Sequence, residues 1–163
     1  MLRDKNLVPL SHQHQRALAL CVRMDHAFQA GNVDLEAWQA ELQESFQHEV
    51  EFHLTAEEKK IFPVAARFPE LRALVKELLA EHAVLREFFA RAVARTLDAT
   101  SLESYAEILV GHIRKEERQL FEQMQSLMSP EELADVGAAL EAAMKDCSNK
   151  CALSKDATRH SSK

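Results

Sequence analysis

Apolar residues return every three or four positions over long stretches of this chain, and that period predicts helices from end to end. Leu18, Cys21, Val22 and Phe28 mark a first helix over residues 11 to 30, with Ser11 placed to cap it and Gly31-Asn32 to stop it. Asp34 offers the N-cap of a long second helix carrying Leu35, Trp38, Leu42, Phe46, Val50 and Ile61, ending between Pro63 and Phe68 with a kink expected near Pro63. From Glu70 the stripe Leu71, Leu74, Val75, Leu78, Leu79, Leu85, Phe89 and Val93 predicts a third helix, closed by the polar cluster Asp98 to Ser101. A fourth carries Leu102, Tyr105, Ile108, Leu109, Ile113, Leu120, Met124 and Leu127. Ser129-Pro130-Glu131-Glu132 then supplies the N-cap, N1 proline and N3 glutamate of a short fifth helix that runs to about Asp146. Residues 147–163 are polar, rich in Ser and Lys and aperiodic, and read as a flexible tail. Short connections between long helices force antiparallel neighbours. The expectation is therefore an all-α domain over residues 1–146, an up-down-up-down four-helix bundle with a short C-terminal fifth helix.

The apolar stripes are interrupted by residues that packing alone does not explain. The phase 71, 75, 78, 82, 85, 89 lands on His82, and the phase 105, 109, 112, 116, 120 lands on His112 and Glu116. Helix two places His53 and Glu57 in line with Leu42, Phe46, Ile61 and Val64, and His14 shares a face with Leu18 and Cys21. A carboxylate buried without a partner costs several kcal/mol, so two in one core require a cation or protons to compensate them. His53-x-x-x-Glu57 and His112-x-x-x-Glu116 each set an imidazole and a carboxylate one helical turn apart on one face. Each continues with a second glutamate and a phenylalanine, Glu58 to Phe62 and Glu117 to Phe121, an internal repeat with both copies in core phase.

Depth along the helices is an independent check. His53/Glu57 lies about 13 residues before the turn near 68 and His82 about 14 after it; His82 lies about 17 before the turn near 99 and His112/Glu116 about 15 after it. These three stations share a level to within a turn, while His14 matches more loosely, with His12 as a substitute on the same helix start.

Composition narrows the function classes. The 163 residues suit one domain, and three Gly and four Pro fit long helices. A net charge of −6 without a concentrated basic stripe argues against a nucleic-acid partner. No apolar run reaches the length of a signal or membrane-spanning segment, so neither export nor a membrane partner is expected and a cytoplasmic location is. Three cysteines do not make a disulfide framework. Cys21 reads as a small core residue, and Cys147 and Cys151 form only a weak CxxxC in the tail. Trp38, Phe46, Phe62, Phe89 and Phe121 read as core. His26, His48 and His160 read as solvent-facing, and Glu58 and Glu117 as solvated neighbours about 100° from the bridging position.

Nitrogen and oxygen donors without thiolate suit iron, manganese or zinc, and two carboxylates able to bridge favour a dinuclear site. Leu10-Ser11 before His14, His53-x-x-x-Glu57 running into Ile61-Phe62-Pro63, Glu81-His82, and His112-Ile-x-x-Glu116-Glu117 running into Leu120-Phe121 together resemble the hemerythrin-like family over about residues 8 to 128. The resemblance implies two iron ions, with His14, His53, His82 and His112 as terminal ligands and Glu57 and Glu116 as bridges. An oxo or hydroxo bridge belongs to the same expectation, and Mn or Zn could occupy such a set. Oxygen-carrying hemerythrins have a fifth histidine one turn after the helix-three ligand, where this chain has Arg86, and space the helix-four pair by one more residue with aspartate. A set of four histidines and two glutamates resembles instead the members implicated in nitric-oxide and oxidative-stress responses and iron–sulfur cluster repair. The expected partner is O2, NO or peroxide, bound or sensed at a position left open by the missing fifth histidine. Iron storage or donation, cluster repair, and a di-iron oxidoreductase are the alternatives, and the sequence contains no recognisable general acid for the last.

Overall fold

The chain enters its first helix through Asp4, whose carboxylate accepts the Asn6 N–H at 2.9 Å and whose carbonyl accepts the N–H groups of Leu7 and Val8. Helix α1 then runs Val8–Gln29 with Pro9 in its first turn, starting a few residues before Ser11. Proline in the first turn forfeits no helical hydrogen bond, which is why the helix begins there and not at the serine. The computed structural model describes residues 2–159, with side chains described from 2 to 145, and every regular element among them is helical. None of these helices is long and apolar enough to cross a membrane.

Gly31, at φ 67°, ends α1 with the Gly31 and Asn32 N–H groups returned to Phe28 and Ala27. Helix α2 spans residues 35–65, and the Asp34 carboxylate caps it at the Ala37 N–H, 3.0 Å away. Two π-helical turns interrupt it, Phe46–Val50 and Glu57–Ile61. The second sits directly before Pro63, where a kink is expected. A third π turn, Glu116–Leu120, occurs in α4 with no proline after it, so proline is not what opens these turns. Helix α3, Arg72–Val93, follows a 3-10 turn at Pro69–Leu71. Helix α4 spans 99–127, capped by Asp98 at the Ser101 N–H, 2.8 Å away. A reciprocal capping box then starts α5: Glu132 N–H donates to Ser129 Oγ at 3.2 Å and Ser129 N–H to the Glu132 carboxylate at 3.0 Å. Helix α5 runs Pro130–Arg159, past the end near Asp146 expected from its periodicity. Cys147, Cys151 and His160, and the tail character expected of 147–163, lie outside the described side chains.

Helix α1 packs on α4, α4 on α3, and α3 on α2; α5 packs on α2. The buried apolar side chains form two separate clusters. One gathers Leu10, Ile61, Phe62, Leu71, Leu78, Leu120, Phe121 and Met124 with Leu133, Val136 and Leu140 of α5. The other gathers Leu20, Met24, Leu42, Phe46, Leu54, Leu85, Phe88, Tyr105 and Ile113. Along the first four helices the His/Glu positions fall where the two clusters meet, so the polar residues form a layer across the core. Val22, Leu79 and Val93, expected on the apolar stripes, are exposed by 52%, 42% and 46%. Val22 and Leu79 each follow a buried residue by one position, about 100° of helix rotation, and Val93 is the last residue of its helix.

Gly137 of α5 lies against the N-terminal arm. A Cβ there would stand 2.7 Å from the Asn6 Cβ, closer than side chains tolerate. Gly137→Ala is expected to displace the arm and cost about 1–3 kcal/mol of stability, read as a lowered melting temperature.

Candidate metal centre

Each of the helices α1 to α4 delivers a histidine to the polar layer. His14 of α1, His82 of α3 and His112 of α4 are buried, His53 of α2 is 10% exposed, and Glu57 and Glu116 are fully buried. His12 is exposed, which leaves His14 as the histidine that α1 contributes. His26 and His48 are exposed as expected. All six sequence-predicted residues therefore meet in one place.

Their arrangement has two halves that share the carboxylates. His14 Nε2 lies 2.9 Å from His53 Nε2, and His82 Nε2 lies 3.2 Å from His112 Nε2. Glu57 turns one oxygen to His53 Nε2 at 3.2 Å and the other to His82 Nε2 at 3.4 Å. Glu116 turns one oxygen to His14 Nε2 at 3.1 Å and the other to His112 Nε2 at 3.3 Å. Two groups of donors result, His14, His53, Glu57, Glu116 and Glu57, His82, His112, Glu116, each able to hold a metal ion and each including both glutamates.

The outward nitrogens explain why the inward ones are bare. His14 Nδ1–H donates to Glu117 at 2.7 Å, His112 Nδ1–H to Glu81 at 2.9 Å, His82 Nδ1–H to Glu58 at 2.9 Å, and His53 Nδ1–H to the Gln13 amide oxygen at 2.6 Å. Every acceptor lies on a neighbouring helix, so the links close a belt from α1 to α4, α3, α2 and back to α1. With Nδ1 committed as donor, an imidazole in its neutral form points an Nε2 lone pair inward. The charged links are backed by cations. Arg3 pairs with Glu117 at 2.7 Å, Arg86 with Glu58 at 2.6 Å, and Lys115 with Glu81.

This donor set fits a cation. Neither oxygen of Glu57 or of Glu116 has a hydrogen-bond partner, although all four are buried. Four lone pairs and two carboxylates facing one another without a donor are tolerable only with positive charge between them. Nitrogen or oxygen donors about 2.1 Å from a shared ion stand about 3.0–3.4 Å apart, close to the shorter of these separations, while His14 to Glu57 at 3.8 Å and His82 to Glu116 at 4.0 Å are wider.

Without a metal, protons must do the same work. Burial alone would lower the His14 and His112 pKa values. Pairing of His14 with Glu116, Glu117 and Glu57 overrides it and holds that imidazole well above the usual range, and Glu116 and Glu81 hold His112 at about 10. Burial would likewise raise Glu57 and Glu116, yet the surrounding histidines hold both below the ordinary carboxylate range. Glu117, beside His14 and Arg3, falls to about 2 against its own burial.

A cavity of about 50 Å³ reaches His14, His53 and His112 between α1, α2 and α4, walled by Ala17, Val50, Leu54, Leu109 and Ile113. That is room for a few water-sized molecules. Arg86, where carriers have a fifth histidine, instead bonds Glu51 at 3.0 Å and Glu58, so its guanidinium serves the outer belt and the cavity lies elsewhere.

The model of the hemerythrin HHE cation-binding domain matches residues 8–124. The chain belongs to the hemerythrin HHE cation-binding family. The match spans α1 to Met124 of α4 and so takes in all six residues of the polar layer. Neither curated proteins nor solved structures give a match. In this hemerythrin domain Glu58 and Glu117, expected as solvated neighbours, are instead partly buried acceptors for His82 and His14, while Glu81 and Gln13 had no such role assigned from the sequence. The glutamate doublets 57–58 and 116–117 and the Glu81-His82 pair carried the signal for the three acids; Gln13 had none beyond its position next to His14.

Proposed function

We propose that this hemerythrin-like chain is a non-haem di-iron protein that binds or senses a small molecule of the O2, NO or peroxide class, built on an up-down-up-down four-helix bundle. His14 and His53 hold one ion and His82 and His112 the other, while Glu57 and Glu116 reach both. The observation that carries this reading is the set of four unpaired buried carboxylate oxygens facing four inward Nε2 atoms. A buried constellation of that kind is costly in any protein that does not use it, and two shared carboxylates suit two ions better than one.

When bound, the iron pair supplies redox chemistry and an exchangeable coordination position for a diatomic or peroxide. The protein's own residues do the rest. The belt of Nδ1–H donors fixes ring orientation and keeps the Nε2 electrons available. The apolar walls of the cavity admit a small neutral molecule to His14 and His53 while offering few groups to hold water. Arg16, Glu49 and Gln13 line the same space and provide its polar side.

Elemental analysis of anaerobically purified protein, with an optical spectrum before and after addition of air or NO, tests this. About two irons per chain and a new ligand-to-iron band on addition are expected. A single zinc, or no metal with the helices intact, would sink the proposal.

A further inference from the structure

The ligand set is symmetric, two histidines for each ion and both glutamates shared, but the belt around it is not. Three of its four links end on a carboxylate that a cation anchors: Glu117 with Arg3, Glu58 with Arg86, Glu81 with Lys115. The fourth ends on the neutral amide of Gln13, the acceptor of His53 Nδ1–H at 2.6 Å. His53 is also the most exposed of the four histidines, at 10%, and lines the cavity.

The geometry points to Gln13 as the positioning residue that makes the two metal positions unequal, with the ion at His14 and His53 the exchangeable one. This rests on the two-ion reading above. A carboxylate that accepts Nδ1–H draws the proton toward itself, leaves the ring more electron-rich and strengthens the Nε2–metal bond; an amide oxygen carries no net charge and does this less. Outer partners of this kind change metal affinity by about 10–100-fold. The His82/His112 position has carboxylates behind both rings and the His14/His53 position behind one alone. The difference therefore arises from a residue that touches no ion, and a single atom exchange, amide nitrogen for oxygen, should remove it.

The test loads the full chain with iron(II) under anaerobic conditions, counts irons, and follows their removal by excess iron(II) chelator. Two irons leaving in two phases, one about tenfold faster, are expected. Gln13→Glu should slow the fast phase to the rate of the other with the iron count unchanged. Glu81→Gln, which gives His112 the same neutral partner, should speed the slow phase. Two irons leaving the unmodified protein at one rate would overturn the inference and leave the two-ion reading standing, as would a fast phase unchanged by Gln13→Glu. Fewer than two irons in the unmodified protein would overturn the two-ion reading, and this inference with it.

Discussion

Glu57→Ala is expected to leave the protein with no more than one iron and in most preparations none, whereas His53→Ala is expected to cost one and keep the other. The difference follows from membership. Glu57 turns an oxygen to each half of the site and belongs to both donor groups, while His53 belongs to one. Loss of Glu57 would leave each ion of the proposed pair with three of its four protein donors and remove half the negative charge that balances them. The fold should survive, because deleting a buried carboxylate also deletes its desolvation cost. Elemental analysis beside far-ultraviolet circular dichroism reads both quantities. Two irons in Glu57→Ala would exclude it as a shared ligand, and equal losses in the two variants would exclude the division of the site into halves.

The second large effect is a reversal of pH dependence on metal loading. In the metal-free protein the raised His14 and His112 contribute stability that is complete below the unfolded histidine pKa of about 6.5 and is lost as pH rises through their folded values, about 10 for His112. The lowered Glu57 and Glu116 contribute stability present above the unfolded glutamate pKa and lost as pH falls through their folded values. Metal-free protein should therefore be most stable between about pH 4.5 and 6.5 and fall by a few kcal/mol toward pH 10, roughly 5–10 °C in melting temperature. Loaded protein should behave in the opposite sense, since metal requires neutral imidazoles: its stability should rise through pH 6.5 and then hold. Loading at pH 7 should release about two protons, measurable by calorimetry in buffers of different ionisation enthalpy. Parallel melting curves for the two forms above pH 7 would contradict this account.

Much of the architecture was legible because helices of this length write their buried face into the sequence every three or four residues. The caps at Asp34 and Ser129 and the stop at Gly31 were equally local, each set by one side chain or one backbone angle, whereas the cluster from Asp98, expected to close the third helix, instead starts the fourth through the Asp98 cap. The six residues of the candidate centre were legible for the opposite reason, as residues out of place on an apolar stripe. What escaped were features decided between helices. Glu58 and Glu117 are about 100° from the core face, which by period reads as solvent, yet a histidine from the adjacent helix reaches each of them. The π turns starting at Glu57 and Glu116 were invisible as well, because a single i→i+5 turn changes the phase by less than the scatter of an apolar stripe. Val22, Leu79 and Val93 show the same limit from the other side, since apolar character alone does not say how wide the covered stripe is.

The division of the apolar interior into two clusters bears on how a small molecule would reach the site. Among the described residues, helix α5 adds buried side chains to the cluster that contains Ile61, Phe62 and Phe121. Among the described residues the opposite cluster receives none from α5, and its Leu54, Leu109 and Ile113 line the cavity. Local opening costs least where no further helix must lift away and a cavity already loosens the packing, so amide exchange should be faster in the Leu42–Leu54 and Tyr105–Ile113 stretches than in the Ile61–Ala65 and Leu120–Met124 ones. The molecule would then breathe at one end and stay shut at the other, with brief fluctuations of the thin-walled half serving as the doorway while the thick-walled half keeps the histidine belt in register.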